Sequence, residues 1–120
     1  YQVQNITCLH LNFLKNTIPN EKFDLIVCNP PYISKDDYNS LPREIKSHEP
    51  KHALTDNLDG LTFYKHIANQ LEKILTPGRT LLIEIWLKNT KNNIEQLFRH
   101  KKYHWHKDLN KDYRIIEILA

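Results

Sequence analysis

The ten residues from Phe23 to Tyr32, Phe-Asp-Leu-Ile-Val-Cys-Asn-Pro-Pro-Tyr, constrain the fold of this chain more than any other stretch. Leu25 to Cys28 are apolar without alternation. That is the pattern of a strand covered on both faces in a parallel sheet, not of a half-exposed antiparallel strand. Asn29 ends the run with a polar amide, and Pro30 and Pro31 bring no backbone donor with which to continue a ladder. The sequence therefore predicts a rigid polar and aromatic turn at the carboxyl end of a buried strand, where open α/β sheets hold their ligands.

Around that run, strand and helix patterns follow one another. Ile6 to Leu9 is a short β-branched and apolar stretch that reads as a first strand. Residues 33–61 form a long connection broken by Pro42, Pro50 and Asn57-Leu58-Asp59-Gly60, a mostly looped excursion that Tyr38, Leu41, Ile45, Ala53 and Leu54 anchor. Phe63, Tyr64, Ile67, Ala68, Leu71, Ile74 and Leu75 then recur at helical spacing, with Asp59 as the predicted N-cap and Pro77-Gly78 as the stop. Thr80 to Trp86 reads as a central strand interrupted by Glu84. Thr90 is the predicted cap of a second helix carrying Ile94, Leu97 and Phe98. Tyr103 to Trp105 and Arg114 to Leu119 read as two late strands joined by the polar turn 108–112. Buried parallel strands need crossover helices, so this order predicts an α/β fold: an αβα sandwich with a mostly parallel sheet and a terminal antiparallel hairpin.

Composition narrows the function classes. At 120 residues the chain is one small domain or part of a larger one, and its 2 glycines are few for a nucleotide-binding α/β unit. It opens on Tyr1 with no cap or turn signal before the first apolar run, which leads us to expect a start inside a domain. No stretch approaches the roughly 20 apolar residues of a membrane span, and no secretory signal pattern is present. Cys8 and Cys28 fall in predicted strands and read as small buried residues of a reducing, cytoplasmic compartment. A net charge of +3 spread along the chain does not define a nucleic-acid binder. His104 and His106 share one face of a strand, but no cysteine or acidic pair nearby completes a four-ligand set, so no metal site is assigned. Glu84 is open to two readings, a catalytic acid or a hydrogen-bond acceptor beside the site.

The Asn29–Tyr32 turn is suited to one kind of chemistry. An amide or exocyclic amine nitrogen is a poor nucleophile because its lone pair is delocalised into the adjoining π system. Two acceptors aimed at its N–H groups favour the pyramidal geometry in which that lone pair attacks a methyl carbon. The Asn29 side-chain oxygen and the Pro30 carbonyl are such acceptors. Pro31 fixes the carbonyl direction, and Tyr32 offers a flat face for a planar amide or base. No strong base is required, because the proton becomes acidic only after the methyl has moved; the site contributes placement and stabilisation of developing charge. The plainer reading is a rigid loop with Asn29 as a turn-former. The tetrad directly after an apolar strand is more specific than that.

Phe23 to Ile33 resembles the signature of the S-adenosylmethionine-dependent amino-methyltransferases. The downstream sequence is similar to one branch of them, the peptide chain release factor glutamine N5-methyltransferases. That branch is marked by Glu49-Pro50 with Ala53-Leu54, by Asp59-Gly60-Leu61 with Phe63-Tyr64, and by Leu75-Thr76-Pro77-Gly78 with Leu81 to Ile85. Lys107-Asp108-Leu109 and Tyr113-Arg114 match its closing region. The resemblance implies an incomplete Rossmann-like methyltransferase domain, with residues 1–120 as its carboxyl-terminal portion and the glycine-rich cofactor loop upstream. It implies S-adenosylmethionine as cofactor and a release factor as partner, in the cytoplasm and without a membrane. Asn29, Pro30 and Tyr32 become the catalytic residues, Pro31 and Glu49 join them in holding substrate, and Asn12 and Asn29 face the cofactor.

The chain departs from the family pattern at Leu11, where a glycine is usual, at Arg79, which replaces a second glycine, and at Trp86, which occupies a small-residue position. From the absent loop we expect weak cofactor binding by this chain alone, and from unpaired sheet edges a tendency to self-associate. Two other readings stay open. An adenine N6-methyltransferase acting on DNA or RNA would use the same acceptor pair. A non-catalytic remnant or interaction domain is favoured by Leu11, Arg79 and Trp86.

Overall fold

A computed structural model of the chain describes residues 4–15, 21–86 and 91–120, and within them four strands and five helices. Strand β1 (Phe23–Cys28) is followed by three short helices, α1 (Lys35–Asn39), α2 (Arg43–His48) and α3 (Lys51–Leu54). Then come α4 (Thr62–Ile74), β2 (Leu75–Glu84), α5 (Lys91–Leu97), β3 (Lys102–Lys107) and β4 (Tyr113–Leu119). The strands form one sheet in the order β1-β2-β4-β3.

The pairing corrects the expected mostly parallel, Rossmann-like αβα sandwich. β1 runs parallel to β2, with Leu25 opposite Thr80 and Cys28 opposite Ile83, while β2 with β4 and β4 with β3 are both antiparallel. The reason lies in where the last strand goes. Helix α4 returns the chain to lay β2 parallel to β1, and α5 returns it again so that β3 points the same way as β2. β3 stops one strand short of contact, and β4, doubling back through a tight turn, fills the gap. Every ladder that β4 makes is therefore antiparallel.

Burial alternates along β2 and β4. Leu81, Ile83 and Ile85 are buried, as are Ile116 and Ile118, and the register sets Leu81 beside Ile118 and Ile83 beside Ile116 on one face. Ile67 and Leu71 of α4, Ile94 of α5 and Phe98 just beyond it pack on that face. Each such side chain removed from water contributes about 1.5–3 kcal/mol. The opposite face is open among the described residues: Leu25 is 56% exposed and Val27 71%. This overturns the expectation that β1 is covered on both faces, because α4 and α5 pack on the same side.

Helix α4 follows its apolar spacing, burying Tyr64, Ile67, Leu71 and Ile74. Its ends differ from expectation. The predicted cap Asp59 instead accepts from Leu61 N–H and pairs with Lys65 at 2.7 Å, and the Thr62 N–H is met by the Asp56 carboxylate at 3.1 Å. The helix ends at Ile74, and β2 runs through Pro77 and Gly78 with an irregularity opposite Asp24. Ile6 to Leu9 forms no strand, and Cys8 is exposed, not buried. Among the described residues β1 pairs with β2 alone, and that segment does not use its open edge. The predicted cap Thr90 lies outside the described residues.

Candidate functional site

The chain leaves β1 at Cys28 and enters the turn with Asn29 exposed and Pro30 buried. The long excursion then folds back onto it. Ile33 forms an isolated parallel bridge with Thr55, donating its N–H to the Leu54 carbonyl at 3.0 Å, and Lys35 N–H reaches Leu58 at 2.9 Å. Ser34 caps α1, its hydroxyl accepting from Asp37 N–H at 3.1 Å and donating to the Asp37 carboxylate at 2.8 Å. Asp56 gathers the returning loop by accepting from Leu58, Gly60 and Thr62 N–H groups at 2.9, 3.0 and 3.1 Å.

Gly60 is the closest approach. Its φ is +78°, and a Cβ there would sit 2.5 Å from the Tyr32 carbonyl oxygen. Only a residue without a side chain lets the loop lie directly on the turn. Between the turn and the α2–α3 region opens a cleft of about 720 Å³, with Asn29, Pro30 and Tyr32 among its lining and Ile45, His48 and Glu49 contributed by the excursion.

The cleft thus brings together four sequence-predicted residues, Asn29, Pro30, Tyr32 and Glu49. Pro31 is half-buried and does not line it. Asn12 does not line it either; its side-chain oxygen accepts from Leu14 N–H at 3.1 Å and shapes its own turn. Among the described residues no hydrogen bond engages the exposed Asn29 side chain.

Tyr32 is held from behind by residues that the sequence did not single out as a group. Its hydroxyl donates to Glu84 Oε1 at 3.2 Å, and Tyr64 donates to the Glu84 backbone carbonyl at 2.9 Å. Glu84 therefore acts as an acceptor, one of the two readings left open. The Tyr32 hydroxyl is pushed to a higher pKa first by burial and then by the charge and hydrogen bond of Glu84, against the opposing pull of Arg114. It stays a donor at neutral pH. Burial raises the Tyr64 hydroxyl in the same direction, and it pushes the Cys28 thiol up to about 11. Cys28, directly before Asn29, is accordingly an uncharged apolar neighbour and not a nucleophile. Trp86 stacks on Tyr32 with ring centres 6.2 Å apart and planes 10° from parallel. The Arg114 guanidinium lies 5.1 Å from the centre of the Trp86 ring, and its Nε is 3.1 Å from Asp108 Oδ2. A tryptophan placed just past a core strand was the available sequence signal for this support.

A nucleoside cofactor held at the ends of sheet strands needs close backbone approach, which glycine supplies. Of the two glycines here, Gly60 lies against Tyr32 and Gly78 in open space near the start of β2. Among the described residues, neither glycine supplies a close backbone approach of that kind beside the cleft.

No protein-family model matches the chain. A release factor glutamine methyltransferase of Fusobacterium nucleatum is 41% identical over 91 residues, which cover 76% of this chain and 26% of that protein. A second, from Mycoplasma mycoides, is 36% identical over 119 residues, covering 94% of this chain and 40% of its relative. A solved protein-(glutamine-N5) methyltransferase from Alicyclobacillus acidocaldarius superposes with a TM-score of 0.45 at 19% identity, covering 88% of this chain and 83% of that one, a likeness too loose to carry an argument. The chain thus spans between 26% and 40% of the length of these two curated relatives. Identity at this level, extending over 94% of the chain in one case, places it in the release factor glutamine methyltransferase family.

Proposed function

We propose that this chain forms the glutamine-binding part of an enzyme that transfers a methyl group to the side-chain amide nitrogen of a glutamine in a peptide chain release factor. The observation that carries this reading is the unengaged Asn29 side chain beside the buried Pro30 and the ring of Tyr32, all lining one cleft. S-adenosylmethionine, when bound, supplies a methyl group on a positively charged sulfur. The residues of this chain prepare the other reactant. Asn29 Oδ1 and the Pro30 carbonyl accept the two N–H groups of the glutamine amide and turn its lone pair out of conjugation. Tyr32 stacks on the amide plane and fixes the direction in which that lone pair points. Positive charge developing on the nitrogen strengthens both hydrogen bonds, so they stabilise the transition state more than the bound substrate. The proton is released to solvent after transfer, from a cleft whose Asn29 wall is open.

The peptide backbone around the glutamine is assigned to the excursion side of the cleft, against Ile45, Ala53 and Leu54 with Glu49 on the rim. The nucleoside grip is assigned to the remaining length of the relatives, with residues 1–120 acting as the carboxyl-terminal portion of the catalytic domain. A release factor substrate places the reaction in the cytoplasm. Among the described residues no helix is long and apolar enough to cross a membrane.

Labelled S-adenosylmethionine and purified release factor test the reading, with this chain run beside a polypeptide extended to the relatives' length. The extended protein is expected to label the release factor, and Asn29→Ala to lower the rate by about two orders of magnitude, the size of effect seen when one preorganised polar group is removed. Labelling that survives Asn29→Ala, or that goes to nucleic acid instead, would overturn it.

A further inference from the structure

Tyr32 is fixed at its backbone and at its hydroxyl, and neither constraint sets the plane of its ring. The backbone is pinned where Gly60 lies against its carbonyl and where the following N–H of Ile33 bonds to Leu54. The hydroxyl is tied to Glu84 Oε1 at 3.2 Å. A tyrosine hydroxyl lies on the axis about which the ring turns, so a hydrogen bond there leaves that rotation free. A contact on the face of the ring opposes it, beside the packing of Tyr32 against the core. Trp86 makes that contact, with ring planes 10° from parallel and centres 6.2 Å apart.

Trp86 is itself braced. The Arg114 guanidinium lies 5.1 Å from its ring centre, and Arg114 bonds to Asp108 through Nε at 3.1 Å. Its backbone carbonyl also accepts from Ile85 N–H at 2.8 Å, directly before Trp86. Asp108 in turn is locked into the β3–β4 turn by accepting from Asn110 and Asp112 N–H groups. Tyr32 lines the cleft and Trp86 does not.

We propose that Trp86 is a positioning residue that fixes the plane of the Tyr32 ring. Under the amide-site reading, on which this role in substrate alignment rests, it thereby sets the plane in which the glutamine amide is presented. The hairpin tip, through Asp108 and Arg114, becomes part of the site without touching substrate. A flat ring is required at position 86, and apolar bulk alone does not serve.

Two substitutions separate those requirements: Trp86→Phe keeps a flat ring and Trp86→Leu keeps apolar volume without one. The first readout is the ring carbon and proton resonances of Tyr32 in this chain labelled at tyrosine, assigned by their loss in Tyr32→Phe. W86L is expected to displace these signals and collapse the two ring edges into one averaged environment, and W86F to keep them near the wild-type positions. The second readout is methyl transfer to the release factor by the extended polypeptide. There W86L is expected to lower kcat about tenfold with KM within about twofold, and W86F to stay within about threefold of wild type, since a small misplacement acts on the reacting geometry more than on binding.

Unmoved Tyr32 signals in W86L, or equal displacement in W86F, overturn the proposal. Displaced signals with unchanged kcat in an active enzyme overturn the alignment role. If wild type labels no release factor while the ring signals respond as expected, the amide-site reading fails and the hold of Trp86 on Tyr32 stands. Should W86L not fold, Arg114→Met, which leaves the tryptophan and removes its brace, is expected to move the same signals by a smaller amount, and their staying fixed overturns the proposal.

Discussion

Gly60 and Gly78 have nearly the same backbone, φ +78° and +76°, and very different surroundings. A side chain at Gly78 meets nothing within 4 Å, while one at Gly60 strikes the Tyr32 carbonyl. Gly78→Ala should therefore cost only the left-handed strain of about 1–2 kcal/mol. Gly60→Ala should cost more, about 2–4 kcal/mol, because the turn itself must shift. Urea unfolding gives both values, and the amide resonances of residues 29–34 should move in the second variant alone. The scarcity of glycine was plain in the sequence, but what each glycine touches was not. Asn29 to Tyr32 was legible because two prolines after an apolar run can only make a turn. Glu84 was ambiguous because its partner Tyr32 lies 52 residues away, and spacing along a chain does not encode tertiary approach.

Among the elements, the β3–β4 hairpin carries a contact that can be titrated. The Arg114 hydrogen bond holds the Asp108 carboxyl below the usual aspartate range, with further bonds from the turn's own backbone. A depressed carboxylate contributes stability that is present above its unfolded pKa and lost as pH falls through the folded value. The Asp108–Arg114 contact should therefore persist to below about pH 4, the ordinary aspartate range, and then break. An NMR titration of the Arg114 Nε–H should show the step, and Asp108→Asn should abolish it. The hairpin and α4 were legible from period 2 and period 3.6 spacing respectively. The start of α4 was not: Asp56 reaches the Thr62 N–H only because the loop between them is already folded. The covering of β1 was misread because an unbroken apolar run records the absence of alternation and not what lies above each face.

At the scale of the molecule, the two sheet edges are treated differently. β3 carries the charged Lys102 and Lys107 with the polar His104 and His106, a guard that discourages edge pairing, whereas β1 offers Asp24 among Leu25, Ile26 and Val27. Beside β1 runs an apolar groove of about 470 Å³ that includes Leu9, Leu11 and Phe13. Val27→Lys, at a position 71% exposed, should lower concentration-dependent light scattering while leaving the melting temperature within a few degrees. The number of crossover helices was legible in the sequence. The direction of the pairings was not, because it depends on β4 inserting between β2 and β3, a choice made by the whole sheet. The same topology also orders assembly in time. β3 and β4 meet across a short turn, but β1 finds β2 only after the long connection between them has closed, and the entropy of that closure is met before any contact rewards it. The Asn29–Tyr32 turn hangs from this last-arriving strand. A chain that lost β1 alone would keep an antiparallel three-stranded remainder without the Asn29–Tyr32 turn, so the candidate site depends on the completed sheet.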